Sequence, residues 1–193
     1  MKTFDISVLK PIDAELNATI FENKLVKIPK TLFFKLYIPF EDFIIDGQPE
    51  ETAFRLDFIR FNIKSLRDLE NTTYEFPVNP EEGYIDGSIY LFDVHTPVDV
   101  TRITFGKISN GTITATLKYS ILFEYEATEY ANIDEAEINL PVTFGDLRID
   151  TDIIEPKKKN LDKAETLLSS FCDIKDFEAP RVEDEEIRIK MKV

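Results

Sequence analysis

Between Thr112 and Glu126 apolar and polar residues alternate with a single error. Ile113, Ala115, Leu117, Tyr119, Ile121, Phe123 and Tyr125 fall on one side, Thr112, Thr114, Thr116, Lys118, Ser120, Glu124 and Glu126 on the other, and Leu122 is out of phase. A period of two, rich in β-branched and aromatic residues, predicts a strand with one buried face. At ~3.3 Å per residue it would be about 45 Å long, enough to span a large sheet.

Shorter versions of the same pattern run along the rest of the chain. Phe4, Ile6 and Val8 predict a short first strand, ended by Lys10-Pro11. Ile12 to Phe21 fits either period and is read as strand because Thr19-Ile20-Phe21 is β-prone. Phe34, Leu36, Ile38 and Phe40 share a face in the apolar stretch Leu25 to Ile45, closed by the turn signal Asp46-Gly47-Gln48-Pro49. In Phe54 to Ile63 the buried phase flips after Phe58, which predicts a bulge or a crossing between sheets.

Asn79 to Gly83 reads as a turn and Tyr84 to Val94 as a strand, broken by His95-Thr96-Pro97. Val98 to Ile108, with a bulge at Gly106, then joins the long strand through Ser109-Asn110-Gly111 as an antiparallel hairpin. Glu137 to Asp150 alternates and changes phase at Gly145, and Pro141 within it predicts an edge position, where no ladder N–H is needed.

The composition changes at Pro156-Lys157-Lys158-Lys159. Asn160 is placed to cap a helix carrying Leu161, Ala164, Leu167, Leu168 and Phe171 at helical spacing. Ile187, Ile189, Met191 and Val193 alternate with basic residues and predict a last strand returning to the main sheet. The reading is a mostly β protein, an antiparallel β-sandwich or open barrel of about ten strands with one helix in the C-terminal region. Residues 1–156 form the β domain, and residues 157–193, helix plus final strand, pack on it.

Composition adds two constraints. Sixteen Phe and seven Tyr supply bulk for packed sheet faces, whereas the absence of Trp removes the ring most used for sugar stacking. The formal charge is −14, from 23 basic and 37 acidic residues, which disfavours nucleic acid and favours cationic protein surfaces. The charge is uneven: Ser120 to Pro156 holds ten acids against Arg148 alone, a net of −9. Cys172 is the sole cysteine, and neither a signal peptide nor a membrane-spanning run is evident, so a cytoplasmic location without membrane contact is expected.

Catalytic equipment is thin. Asp93 and His95 share one side of a strand, with Cys172 or Ser88 as conceivable nucleophiles, but no local nucleophile motif accompanies them. One His and one Cys give no transition-metal set, and Asp146, Asp150 and Asp152 lack the glycine-containing loop of a calcium site. Six scattered Gly form no phosphate-binding loop, so no cofactor and no metal are expected.

What remains is recognition. Glu124, Glu126, Glu129, Asp134, Glu135 and Glu137 would form an acidic patch that binds a protein partner, cationic in character. The expected function is a non-catalytic protein-binding module, an inhibitor or immunity-type protein acting on a cationic toxin or nuclease. The alternative is an enzyme or a domain binding a small ligand or carbohydrate in an aromatic-lined pocket.

Overall fold

The computed structural model describes every residue from Met1 to Val193 except Ala127. Its strands are β1 (Glu15–Asn23), β2 (Ile28–Pro39), β3 (Phe43–Ile45), β4 (Gln48–Glu50), β5 (Ala53–Ile59) and β6 (Thr73–Glu75). They continue with β7 (Asp86–Leu91), β8 (Val94–Ser109), β9 (Thr112–Ile121), β10 (Ile133–Ile149), β11 (Arg181–Glu183) and β12 (Glu186–Lys190). The α-helix is α1 (Leu161–Ser169). The protein is thus mostly antiparallel β with a ten-stranded sheet and a helix near the C-terminus.

Hydrogen bonding runs β1-β2-β5-β7-β8-β9-β10 and returns from β10 to β1, so of the two architectures the chain adopts a barrel, and the ring closes. The closing pair, Glu15↔Thr143 through Ile20↔Ile149, is parallel, whereas the other ring contacts are antiparallel. Closure removes the free edges that an open sheet would present. Beyond the ring, β12 pairs with β10 and β11 with β12, β6 pairs with β8, and β3 and β4 form a separate ribbon.

The inward residues of the alternating pattern fill the barrel. Phe34, Phe54, Phe105, Leu36, Ile38 and Leu117 are at most 1% exposed. Phe54 meets Phe40 and Tyr119 edge to face at 4.9 and 5.0 Å, the geometry favoured by aromatic quadrupoles. Ala164 and Leu168 of α1 and Ile187 and Ile189 of β12 join this same core.

The hairpin of β8 and β9 forms as the alternation requires, with Asn110 at φ 53° and Gly111 at φ 75°, the left-handed pair of a tight two-residue turn. Gly106 marks a register shift between Phe105 and Ile108, and the flip near Phe58 is a bulge with Phe58 at φ 58°. The Phe58 ring packs edge to face on Phe33 and Phe21 at 5.3 and 5.9 Å, contacts that offset the unfavourable backbone of a bulky left-handed residue. Pro141 pairs only with Thr114 of β9; β1 joins the opposite side of β10 from Thr143 onward.

Four local expectations are corrected. Phe4 to Val8 is no strand: Ile6–Val8 is a 3-10 turn because the Asp5 carboxylate accepts from Ser7 N, a local bond that competes with any ladder. The long strand stops at Ile121, making it about 33 Å long. Leu122, the residue out of phase, donates its N–H to Pro97 O, and Phe123–Glu126 coil into a 3-10 turn. The break expected at His95-Thr96-Pro97 falls instead at Phe92 and Asp93, both left-handed, and β8 continues through Pro97. Pro97 lies just beyond Ile121, the end of β9, so its missing N–H removes no rung there. Asn160 does not cap α1; its Nδ2 donates to Glu155 O at 3.0 Å. Among the described residues no helix is long and apolar enough to cross a membrane.

Candidate functional site

The outer faces of β7 and β8 flank a close backbone approach between the two strands. At Gly87 a Cβ would fall on the Val98 carbonyl oxygen, so only glycine lets the two strands meet there. On either side of this contact the outward residues are Asp86, which faces Asp57 across the β5–β7 ladder, and Asp99. Like charges opposite one another on a sheet are destabilising, and only Asp57 is compensated, by Lys35 Nζ at 2.9 Å. Asp86 and Asp99 have no basic side chain within 4 Å among the described residues.

Two connections wall these carboxylates in. The loop before β7 brings Tyr84, held by its N–H to Glu81 O, and the 3-10 turn after β9 brings Tyr125 and Glu126. That turn is pinned by the buried Phe123, by Leu122 N–H to Pro97 O at 3.0 Å and by Glu124 N–H to Asn132 Oδ1 at 2.8 Å. The result is an open cleft of about 490 Å³ lined by Tyr84, Asp86, His95, Asp99, Tyr125 and Glu126. Partial burial pushes the Asp99 carboxyl up from its ordinary value, and a backbone hydrogen bond from Asn79 opposes the shift. With Tyr125 76% exposed and Tyr84 half-buried, the cleft presents carboxylates and aromatic rings side by side, a setting for a guanidinium or ammonium group.

Comparison with protein-family models, curated proteins and solved structures finds no significant match.

All six acids singled out from the sequence are exposed, but they do not share one environment. Glu124 and Glu126 ride on the 3-10 turn, and Glu126 lines the cleft. Asp134 and Glu135 open β10 at a bulge where Glu135, φ 53°, donates its N–H to Ser120 Oγ. Glu129 pairs with Lys2 Nζ at 3.0 Å, and Glu137 stands opposite Lys118 and 3.9 Å from Arg102. Those two charges are partly spent on cations of the same chain.

The other chemistry considered from the sequence does not assemble. Asp93 sits in the left-handed turn outside the cleft lining, and the His95 ring packs against Tyr90 at 5.1 Å. Cys172 is buried in the core, where desolvation pushes its thiol up to about 12, far from a reactive thiolate. Asp146 binds Arg181 at 2.8 Å, and Asp150 accepts from Asp152 N in a local turn. Among the described residues no group of three or more potential ligands could hold a metal ion.

Proposed function

We propose that the protein is a non-catalytic binding module that captures a cationic protein partner at the cleft between β7, β8 and the Phe123–Glu126 turn. The observation that carries this reading is the convergence of Asp86, Asp99 and Glu126 with Tyr84 and Tyr125 on one open surface. Like-charged carboxylates left without cations cost stability, and a partner's Arg or Lys repays that cost on docking. The acidic field around it, including Glu124, Asp134 and Glu135, steers a basic protein toward the cleft before contact. An inhibitor of a cationic toxin or nuclease, of the immunity-protein type, is the biological role that matches this chemistry.

The experiment is affinity capture from the native host with the wild-type protein and with Asp86→Asn/Asp99→Asn as the control bait. Association rates of the recovered partner then follow by stopped flow at several salt concentrations. Capture by the wild type alone is expected, with association slowed about tenfold in the double variant and its salt dependence flattened. Replacing Glu124, Glu126, Glu129 and Glu135 with Gln should slow association in the same direction. A partner that associates equally fast with all three proteins removes the acidic cleft from the account, and capture of a small cationic metabolite in place of a protein replaces the partner class.

A further inference from the structure

We infer that the flank of β10 from Glu137 to Pro141 receives a short, basic, extended segment of another protein by strand addition. Leu122, directly after β9, donates its N–H to Pro97 O of β8, and each register shift beside β9 puts the extra residue on the neighbouring strand. By alternation the even residues of β9 direct their N–H groups to β8 and the odd ones, Ile113 to Tyr119, direct theirs to β10. Their partners in β10 are Val142, Leu140, Ile138 and Ala136. The residues between these turn their N–H and C=O groups the other way, as Thr143 shows by donating its N–H to Ala14 O at 2.9 Å.

From Thr143 onward that flank is taken by β1. Before it, the residues leading into β1 turn to the end of β2, where Ile12 donates its N–H to Pro39 O and Lys10 O accepts from Glu41 N. Earlier still the chain closes its bonds locally, Leu9 N–H on Ile6 O and Val8 N–H on Asp5 O. Among the described residues no hydrogen bond reaches the N–H or C=O of Glu137 and Asn139 on this flank, or the C=O of Pro141. All three residues are exposed, so these groups are left to water.

An unpaired strand flank is a template for another strand, and recognition by strand addition draws its affinity from main-chain hydrogen bonds. At ~3.3 Å per residue this vacancy holds about five residues of a partner. Both of its ends are fixed, by the bulge at Glu135, φ 53°, and by the rung from Thr143 to Ala14. The occupant is basic because Asp134, Glu135 and Glu137 stand exposed along the same strand. Among the described residues only Glu137 of the three has a cation within 4 Å, Arg102 at 3.9 Å. A second copy of this chain is disfavoured: each would bring the same carboxylates to the seam, and Pro141 has no N–H to give to a two-fold ladder. The flank shares no residue with the lining of the acidic cleft, so a contact at one leaves the other free.

The test is NMR on the 15N-labelled full chain titrated with the hexapeptide acetyl-(Lys-Val)3-amide. In the free protein the Glu137 and Asn139 amides should exchange with solvent much faster than those of Ile138 and Leu140, which β9 holds. The peptide is expected to shift and protect the Glu137 and Asn139 amides, and the Asp86→Asn/Asp99→Asn protein should bind it at β10 as the wild type does. A peptide methylated at its backbone nitrogens keeps the charge but loses the donors, and should bind at least about tenfold more weakly. Asn139→Pro removes an N–H that serves no rung to β9, so affinity should fall about tenfold with the circular dichroism unchanged. If that variant does not fold, the methylated peptide still decides the matter. Glu137 and Asn139 amides already protected in the free protein, equal binding of the methylated peptide, shifts confined to the cleft, or no binding at millimolar peptide each overturn the inference.

Discussion

Gly87→Ala tests the close approach of β7 and β8 on which the cleft is built. The added methyl would collide with the Val98 carbonyl oxygen and stand 3.1 Å from Leu56 Cδ2, where ordinary contacts begin at 3.4 Å. Because the obstruction is backbone, the two strands must part by about 1 Å, in a core that tolerates added methylenes at a cost of about 1–3 kcal/mol. Restricting the unfolded chain returns only about 0.4–1 kcal/mol, so the clash wins and the net loss is about 1–2 kcal/mol. For a chain of this size that corresponds to a Tm lowered by roughly 2–8 °C. Gly106→Ala is the control: its nearest neighbour would be Thr114 Cβ at 3.4 Å, so the entropy gain is not cancelled by a collision with backbone. Thermal melts followed by circular dichroism decide the matter. A Gly87→Ala protein melting at or above the wild-type temperature refutes the claim that glycine is required at this contact.

Two further outcomes follow from the titrating groups. Asp46 accepts from Lys2 Nζ and from Tyr130 Oη, each at 2.8 Å, and these bonds hold its carboxyl below the usual range, the lysine first. A depressed folded value means stability that is fully present above the unfolded pKa of about 4 and is lost as pH falls through the folded one. Urea denaturation should therefore find Asp46→Asn less stable than the wild type at pH 6 to 7 but converging with it under strong acid; a gap that persists at low pH assigns the effect to packing. Cys172, with its thiol raised to about 12 by burial, should react with a thiol reagent at pH 8 only as fast as the protein unfolds, and immediate modification of the native protein would contradict its placement in the core.

Most of the architecture is legible in the alternation because strands with one wet face announce which residues face inward. The β8–β9 hairpin and the Gly106 bulge each follow from a local rule about turns or bulges, whereas Pro141 lies not on an edge strand but on a ring strand whose other flank is locally unpaired before Thr143. The exceptions are equally local: Asp5 turns its own backbone, and Phe92-Asp93 adopts a left-handed turn without glycine or asparagine to signal it. The site is harder to read. Glu124 and Glu126 stand out by charge density, but Asp86 and Asp99 become neighbours only because β7 pairs with both β5 and β8, a fact of strand order. Gly87 between Asp86 and Ser88 is the one local clue to a tight backbone contact.

The parallel seam between β1 and β10 gives biosynthesis a fixed order. As the nascent chain leaves the ribosome, β1 can find β2 early, but its other flank has no mate until the stretch ending at Ile149 emerges. Until then both margins of a growing, phenylalanine-rich sheet stay raw, and raw margins recruit other chains. Slow synthesis or truncation before Thr143 should therefore favour aggregation, because the ring closes only with its last strand.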